Sequence, residues 1–241
     1  TVQIQAMETV DLQSLKTDQI QALTTVQLQA IRTADLQVMK TTQIAALTSS
    51  QAAALTTDQT VALTTSQAQA LVTDSVAALT QAQLQAMEIV DLQAMKTTQI
   101  AALTTAQIQS LTTDEVVALT TTQVQALVTE SVAALTTAQV QALETVDLQA
   151  LKTAQVQALS TAQVVALTTS QAAALTTTQI KSGMTTDQVA VLETRDLVVF
   201  STAQIQAITT LQIQVLSTVQ CAALTTTQVE ALTAGQLAAM T

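Results

Sequence analysis

The chain repeats itself every eight residues from Thr1 to Thr241. Written in rows of eight, nearly every row reads Thr-x-Gln-φ-x-Ala-Leu-Thr, where φ is aliphatic. Twenty-two octads run to Thr176, a nine-residue row, Thr177 to Thr185, carries one extra residue near Gly183, and seven octads complete the 241 residues. So strict a repeat constrains the fold before composition does. One local structure has to suit every row, and rows too short to bury an apolar face alone have to stack. The thirty rows read as one continuous array over 1–241. Its start at Thr1, in register with the repeat, is what a segment of a longer chain would show.

The columns differ in strictness. The seventh is apolar in every row and holds all six Met and the single Phe, Phe200. The fourth is apolar in every row but the one with Thr60, the sixth is mostly Ala, and the third is Gln in 22 rows. Columns two and five accept almost anything. In a strand, columns four and seven would face opposite sides, and no buried face results. At the helical period, columns three, four and seven fall within roughly one 100° arc, and columns two and five lie opposite. The reading is all-α, with core positions typified by Ile4, Met7, Leu23, Ile100, Leu103, Leu143, Phe200 and Cys221; a β-solenoid is the alternative.

A single uninterrupted helix fails, because eight residues advance the apolar stripe about 80° per repeat and wind it around the helix. The helix has to restart every octad. The chain has no Pro and only two Gly to break it. Column eight, however, is Thr or Ser in 19 rows, followed three residues later by Gln, as in Thr24/Gln27, Thr104/Gln107 and Thr136/Gln139. This is a capping box, in which the hydroxyl accepts from the N3 amide and the Gln reaches back to the N-cap amide. Helices of about two turns are unstable alone and persist only by stacking. The expected architecture is therefore a solenoid of about thirty short capped helices, with two or three octads per superhelical turn. The extra residue near Gly183 is expected as an absorbed bulge, with a hinge as the alternative.

A longer period overlies the octad. Related rows beginning at Thr33, Ile89 and Thr145 are 56 residues apart, as are Asp58 and Asp114, so the array reads as duplicated seven-octad blocks. Four carboxylate pairs, Glu8/Asp11, Glu88/Asp91, Glu144/Asp147 and Glu193/Asp196, are weak candidates for a metal site, since two acids without further oxygen donors make a poor Ca²⁺ cage. The stronger reading pairs Glu8, Glu88 and Glu144 with Lys16, Lys96 and Lys152 in the next octad. Cys221, in the core column, reads as a buried inert thiol, and the Met residues as core filler. The Thr-Thr steps read first as caps and second as a hydroxyl lattice for O-glycans or ice.

Composition removes most chemistry. With no His and one Cys there is no histidine base, Ser-His-Asp triad, imidazole metal site or thiolate cluster. No enzyme activity and no cofactor are expected. A net charge of −10 argues against nucleic-acid partners, and Gln and Thr interrupt every apolar run, against membrane insertion. No signal peptide is visible.

The stretch Leu-Thr-Thr-Ala-Gln-Ile-Gln-Ser-Leu-Thr at 103–112, with its variants along the whole chain, resembles the Thr/Gln/Ala/Leu octapeptide tracts of very large bacterial exoproteins, the haem-utilisation and adhesion type. Haem finds no support here, because neither His nor Tyr is available as an axial ligand. The resemblance implies a secreted or surface-attached, filament-forming bacterial repeat protein, extracellular or at the cell surface. The expected function is structural: an extracellular fibre, adhesin stalk or matrix filament, partnered by self-association or by continuation of the same array. The alternative is a Thr-rich rod that binds ice or glycans.

Overall fold

A computed structural model describes residues 1–240. Each octad forms one short helix, such as Thr65–Ala70 or Thr105–Ser110, and no strand occurs among the described residues. The breaks between helices need neither Gly nor a strained backbone, for no described residue has a positive φ. The column-seven residue leaves the helix in extended conformation, Leu111 at φ −58°, ψ 137°. The next residue, Thr112, stays extended at φ −70°, ψ 162° as the N-cap of the following helix. Two extended residues thus turn the chain once per octad. The first is held because its side chain enters the core, as Leu111 does at 4% exposure; burying such a Leu stabilises by about 1.5–3 kcal/mol.

The chain divides into two compact units, Thr1–Ala126 and Leu127–Thr241. Within each, a helix packs not on its neighbour in sequence but on the helix three octads away. In the first unit Ser49–Ala54 lies against Thr73–Ala78, and in the second Thr129–Ala134 lies against Thr153–Ala158. Hydrogen bonds also reach the octad four places back, as from Gln67 to Leu36 and Met39. One superhelical turn therefore holds between three and four octads, more than the two or three expected from sequence.

Columns four and seven form the interior. Ile100, Leu103, Leu143 and Phe200 are buried. Ile4, Met7 and Leu23, in the first three octads, are only half-buried. The sequence reading of Cys221 as a buried thiol is corrected: the residue is half-buried and lines a cleft with Ile213, Leu216 and Met240. Thr60, the polar exception in column four, is buried and donates its hydroxyl to the Thr56 carbonyl at 3.1 Å.

The extra residue is absorbed as one π-helical turn, Gln179–Gly183, closed by Met184 N donating to Gln179 O at 2.8 Å. Ile180 and Met184 keep their core positions on either side, so the added residue perturbs one turn only. The approach is close at this point: a Cβ on Gly183 would stand 3.2 Å from Val156 Cβ and 3.4 Å from Thr153 Cα, three octads back, so a side chain there would push on its neighbours.

Candidate functional site

The recurrent polar feature of the coil is column three. Its Gln side chains are buried, Gln67, Gln83 and Gln99 each at 1% exposure. A buried primary amide has to satisfy one acceptor and two donor positions, and this one does. Gln107 Oε1 accepts from the Thr104 backbone N–H at 2.8 Å, while its Nε2 donates to Val76 O at 2.9 Å and Leu79 O at 2.7 Å. Thr104 Oγ1 completes the cap by accepting from Gln107 N at 3.2 Å. Gln171 does the same in the second unit, accepting from Thr168 N and donating to Val140 O at 2.7 Å and Leu143 O at 2.8 Å. The carbonyls served belong to the end of a helix one turn earlier, where the ordinary i→i−4 amide donors run out. Each Gln therefore caps the start of its own helix and the end of another, and so ties successive turns together.

The cap residues singled out in the sequence lie at these positions. Thr24 and Gln27 bond reciprocally, and so do Thr136 and Gln139. Where column eight is Lys, the Gln half persists alone: Lys16 N donates to Gln19 Oε1 at 2.8 Å. What the capping box did not reveal is the second half of the amide. A signal for it was present, because Glu serves a capping box as well as Gln. Column three nevertheless holds 22 Gln and a single Glu, Glu115. Only Gln brings the N–H groups.

The exceptions show what happens without them. Ser75 donates its hydroxyl to Leu47 O at 2.9 Å, a shorter version of the same link. Asp35 is instead supplied with donors, Arg32 Nε at 2.5 Å and Thr9 Oγ1 at 2.7 Å. These two bonds, that of Arg32 foremost, hold its carboxyl below the usual carboxylate range. Asp196 is fully buried and neither carboxyl oxygen has a hydrogen-bond partner. Burial, reinforced by nearby Glu193, pushes this carboxyl up against the opposing effect of Arg195. Arg195 Nε lies 2.5 Å from Glu193 Oε2 but 3.8 Å from Asp196 Oδ1.

The carboxylate pairs differ in burial. Asp91, Asp147 and Asp196 are buried column-three residues, while Glu88 and Glu144 are exposed, Glu193 is half-buried and both Glu8 and Asp11 face solvent. No group of three or more metal-ligating side chains forms among the described residues. The expected ion pairs of Glu8, Glu88 and Glu144 with Lys16, Lys96 and Lys152 are also absent, the ion pairs of the described residues being those of Arg32 and Arg195. The reason is geometric: consecutive octads advance around the coil, and the octads that stack are three and four apart. A surface cleft of about 440 Å³ brings Thr33, Gln37, Asp58 and Glu88 together from three stacked octads. No helix among the described residues is long and apolar enough to cross a membrane.

Chains built this way, with short identical helices tied turn to turn by side-chain amides, are helical repeat coils. The chain belongs to the ALTTAQ repeat family, whose model matches residues 4–33, 28–65, 84–121, 116–145, 140–177 and 189–226. No curated protein matches it.

Proposed function

We propose that the chain is a structural array whose function is length and repetition: an extracellular fibre, adhesin stalk or matrix filament of a bacterium. The observation that carries this reading is the amide ladder. In both units an added octad with Gln in column three buries the same two core side chains and makes the same three amide bonds, so the array lengthens without new chemistry. The absence of His and the scarcity of other reactive side chains fit a role without catalysis. The resemblance to octapeptide tracts of large exoproteins supports a secreted or surface location, with self-association or continuation of the array as the partner.

Electron microscopy of the native purified material tests the reading. Uniform long fibres are expected, and only dispersed short particles would overturn it. The exposed Thr of column one, such as Thr65, Thr105 and Thr169, motivates the second reading of an ice-binding or O-glycan-bearing surface. Thermal hysteresis at micromolar protein would favour ice binding over a purely structural role.

A further inference from the structure

One residue interrupts the amide ladder from inside the second unit. Asp196 is buried at 0% exposure with neither carboxyl oxygen hydrogen-bonded, and no other carboxyl among the described residues has both oxygens buried and unpartnered. Its place in the coil is fixed from both sides. Gln188, one octad earlier, donates to the Val156 and Leu159 carbonyls, and Gln204, one octad later, to those of Ala172 and Leu175. The octad between them sets Asp196 over Val164 and Leu167. Ser75 shows which of the two a short side chain meets, because its hydroxyl donates to the column-seven carbonyl of Leu47 at 2.9 Å. In the neighbouring turns that carbonyl receives an amide N–H, Leu159 O at 2.6 Å and Leu175 O at 2.8 Å. Over Leu167, an acceptor faces an acceptor.

The donors that serve Asp35 are not repeated here. Where Asp35 has Arg32, Asp196 has Glu193; the counterpart of Thr9 is Thr169, which makes no bond to it. Arg195 Nε is taken by Glu193 and stays 3.8 Å from Asp196 Oδ1. A buried carboxyl against a carbonyl needs a cation or a hydrogen between the two oxygens. The guanidinium beside this carboxyl repels a metal ion, and Glu193 is the single second acid nearby. A proton fits both constraints.

We propose that a proton on Asp196 makes the tie between octads 21 and 25, its O–H donating to the Leu167 carbonyl, and that rising pH removes this proton and unlatches the junction. The proton passes to water, the carboxylate keeps the O–H electron pair, and the ionised Asp196 competes with Glu193 for Arg195. The helix Thr194–Leu197 packs on Thr169–Ala174 and Thr218–Ala223, which bring one titratable group, Cys221, and no charged one. The charges that bear on Asp196 are therefore Arg195 and Glu193. Burial and Glu193 hold the acid form to higher pH, and Arg195 opposes them.

The test uses the 241-residue chain, with hydrogen exchange corrected for the intrinsic rate at each pH and infrared spectra referenced to Asp196→Gln. The unmodified chain is expected to show a protonated-carboxyl band that Asp196→Gln lacks. As that band disappears with rising pH, amides of octads 21 and 25 should lose protection about tenfold, while octads 10 and 14, tied by Gln107, keep theirs. Asp196→Gln restores the amide link and should hold its protection throughout. Glu193→Gln should move the loss to lower pH and Arg195→Gln to higher pH. The proposal is overturned if Asp196→Gln shows the same loss, if the band disappears without any change in octads 21 and 25, or if added Ca²⁺ at constant pH restores their protection.

Discussion

Replacing Gln107 by Leu removes the amide and keeps its bulk in the core. Three backbone groups lose a partner: Thr104 N–H, Val76 C=O and Leu79 C=O. They do not cost the same. Thr104 is exposed and water replaces the bond to its N–H. Val76 O still accepts from Leu79 N at 3.1 Å and loses one of two bonds, about 0.5–1.5 kcal/mol. Leu79 O is left buried with no donor, about 1–3 kcal/mol. The sum is about 1.5–4.5 kcal/mol. It falls on one junction between turns, since coupling in a repeat array is between stacked neighbours. Native-state hydrogen exchange reads this directly: amides of octads 10 and 14 should lose protection about 10- to 2,000-fold, at 1.36 kcal/mol per tenfold. The exposed Gln85 bonds only to the Ser110 carbonyl, and Gln85→Leu should change protection far less. If Gln107→Leu leaves exchange unchanged, or acts no more strongly than Gln85→Leu, the amides do not tie the turns together.

Glu115→Gln supplies the missing donors to the Leu84 and Met87 carbonyls and should raise stability by about 1–3 kcal/mol in urea unfolding; a loss would contradict the assigned role of column three. Asp196 has a raised pKa in the fold, so its contribution is fully present below the unfolded value and is lost as pH rises through the folded one. Asp196→Asn should therefore stabilise at neutral pH and remove that decline from melting curves. Asp35, held low by Arg32 and Thr9, has the opposite sign: its contribution is present above the unfolded value and lost as pH falls, and Asp35→Asn should flatten the acid limb. Gly183→Ala forces a Cβ against Val156 and the Thr153 backbone and should cost about 1–3 kcal/mol, read as a lower midpoint in the same urea experiment.

Much of this fold was legible in the residues. The strictness of columns four and seven identified the core, and Thr104 with Gln107 identified the helix starts. The number of octads per turn was not legible, because it depends on how two extended residues such as Leu111 and Thr112 redirect the chain, and no column encodes that angle by itself. The same gap produced the mistaken pairing of Glu88 with Lys96, which assumed that octads adjacent in sequence are stacked in space. The carbonyl partners of Gln107 lie 28 and 31 residues away, a separation that octad periodicity alone does not favour. The preference for Gln over Glu was the visible trace of those partners. Burial at the ends was missed for a simpler reason: column membership says that Cys221 points inward but not whether anything covers it.

Contact between residues three octads apart is the central structural claim, and one disulfide tests it. In a chain with Cys221→Ser, the pair Val156→Cys and Gly183→Cys places two Cβ atoms about 3.2 Å apart. That is a few tenths of an ångström short of the usual span, and the loss of a Val methyl gives room to relax. Mild oxidation of the folded protein should close this bond quantitatively, seen as faster migration on a non-reducing gel and as a linked peptide pair containing positions 156 and 183. If both thiols remain free under oxidation while the protein stays helical, turns of three to four octads are not how this chain coils.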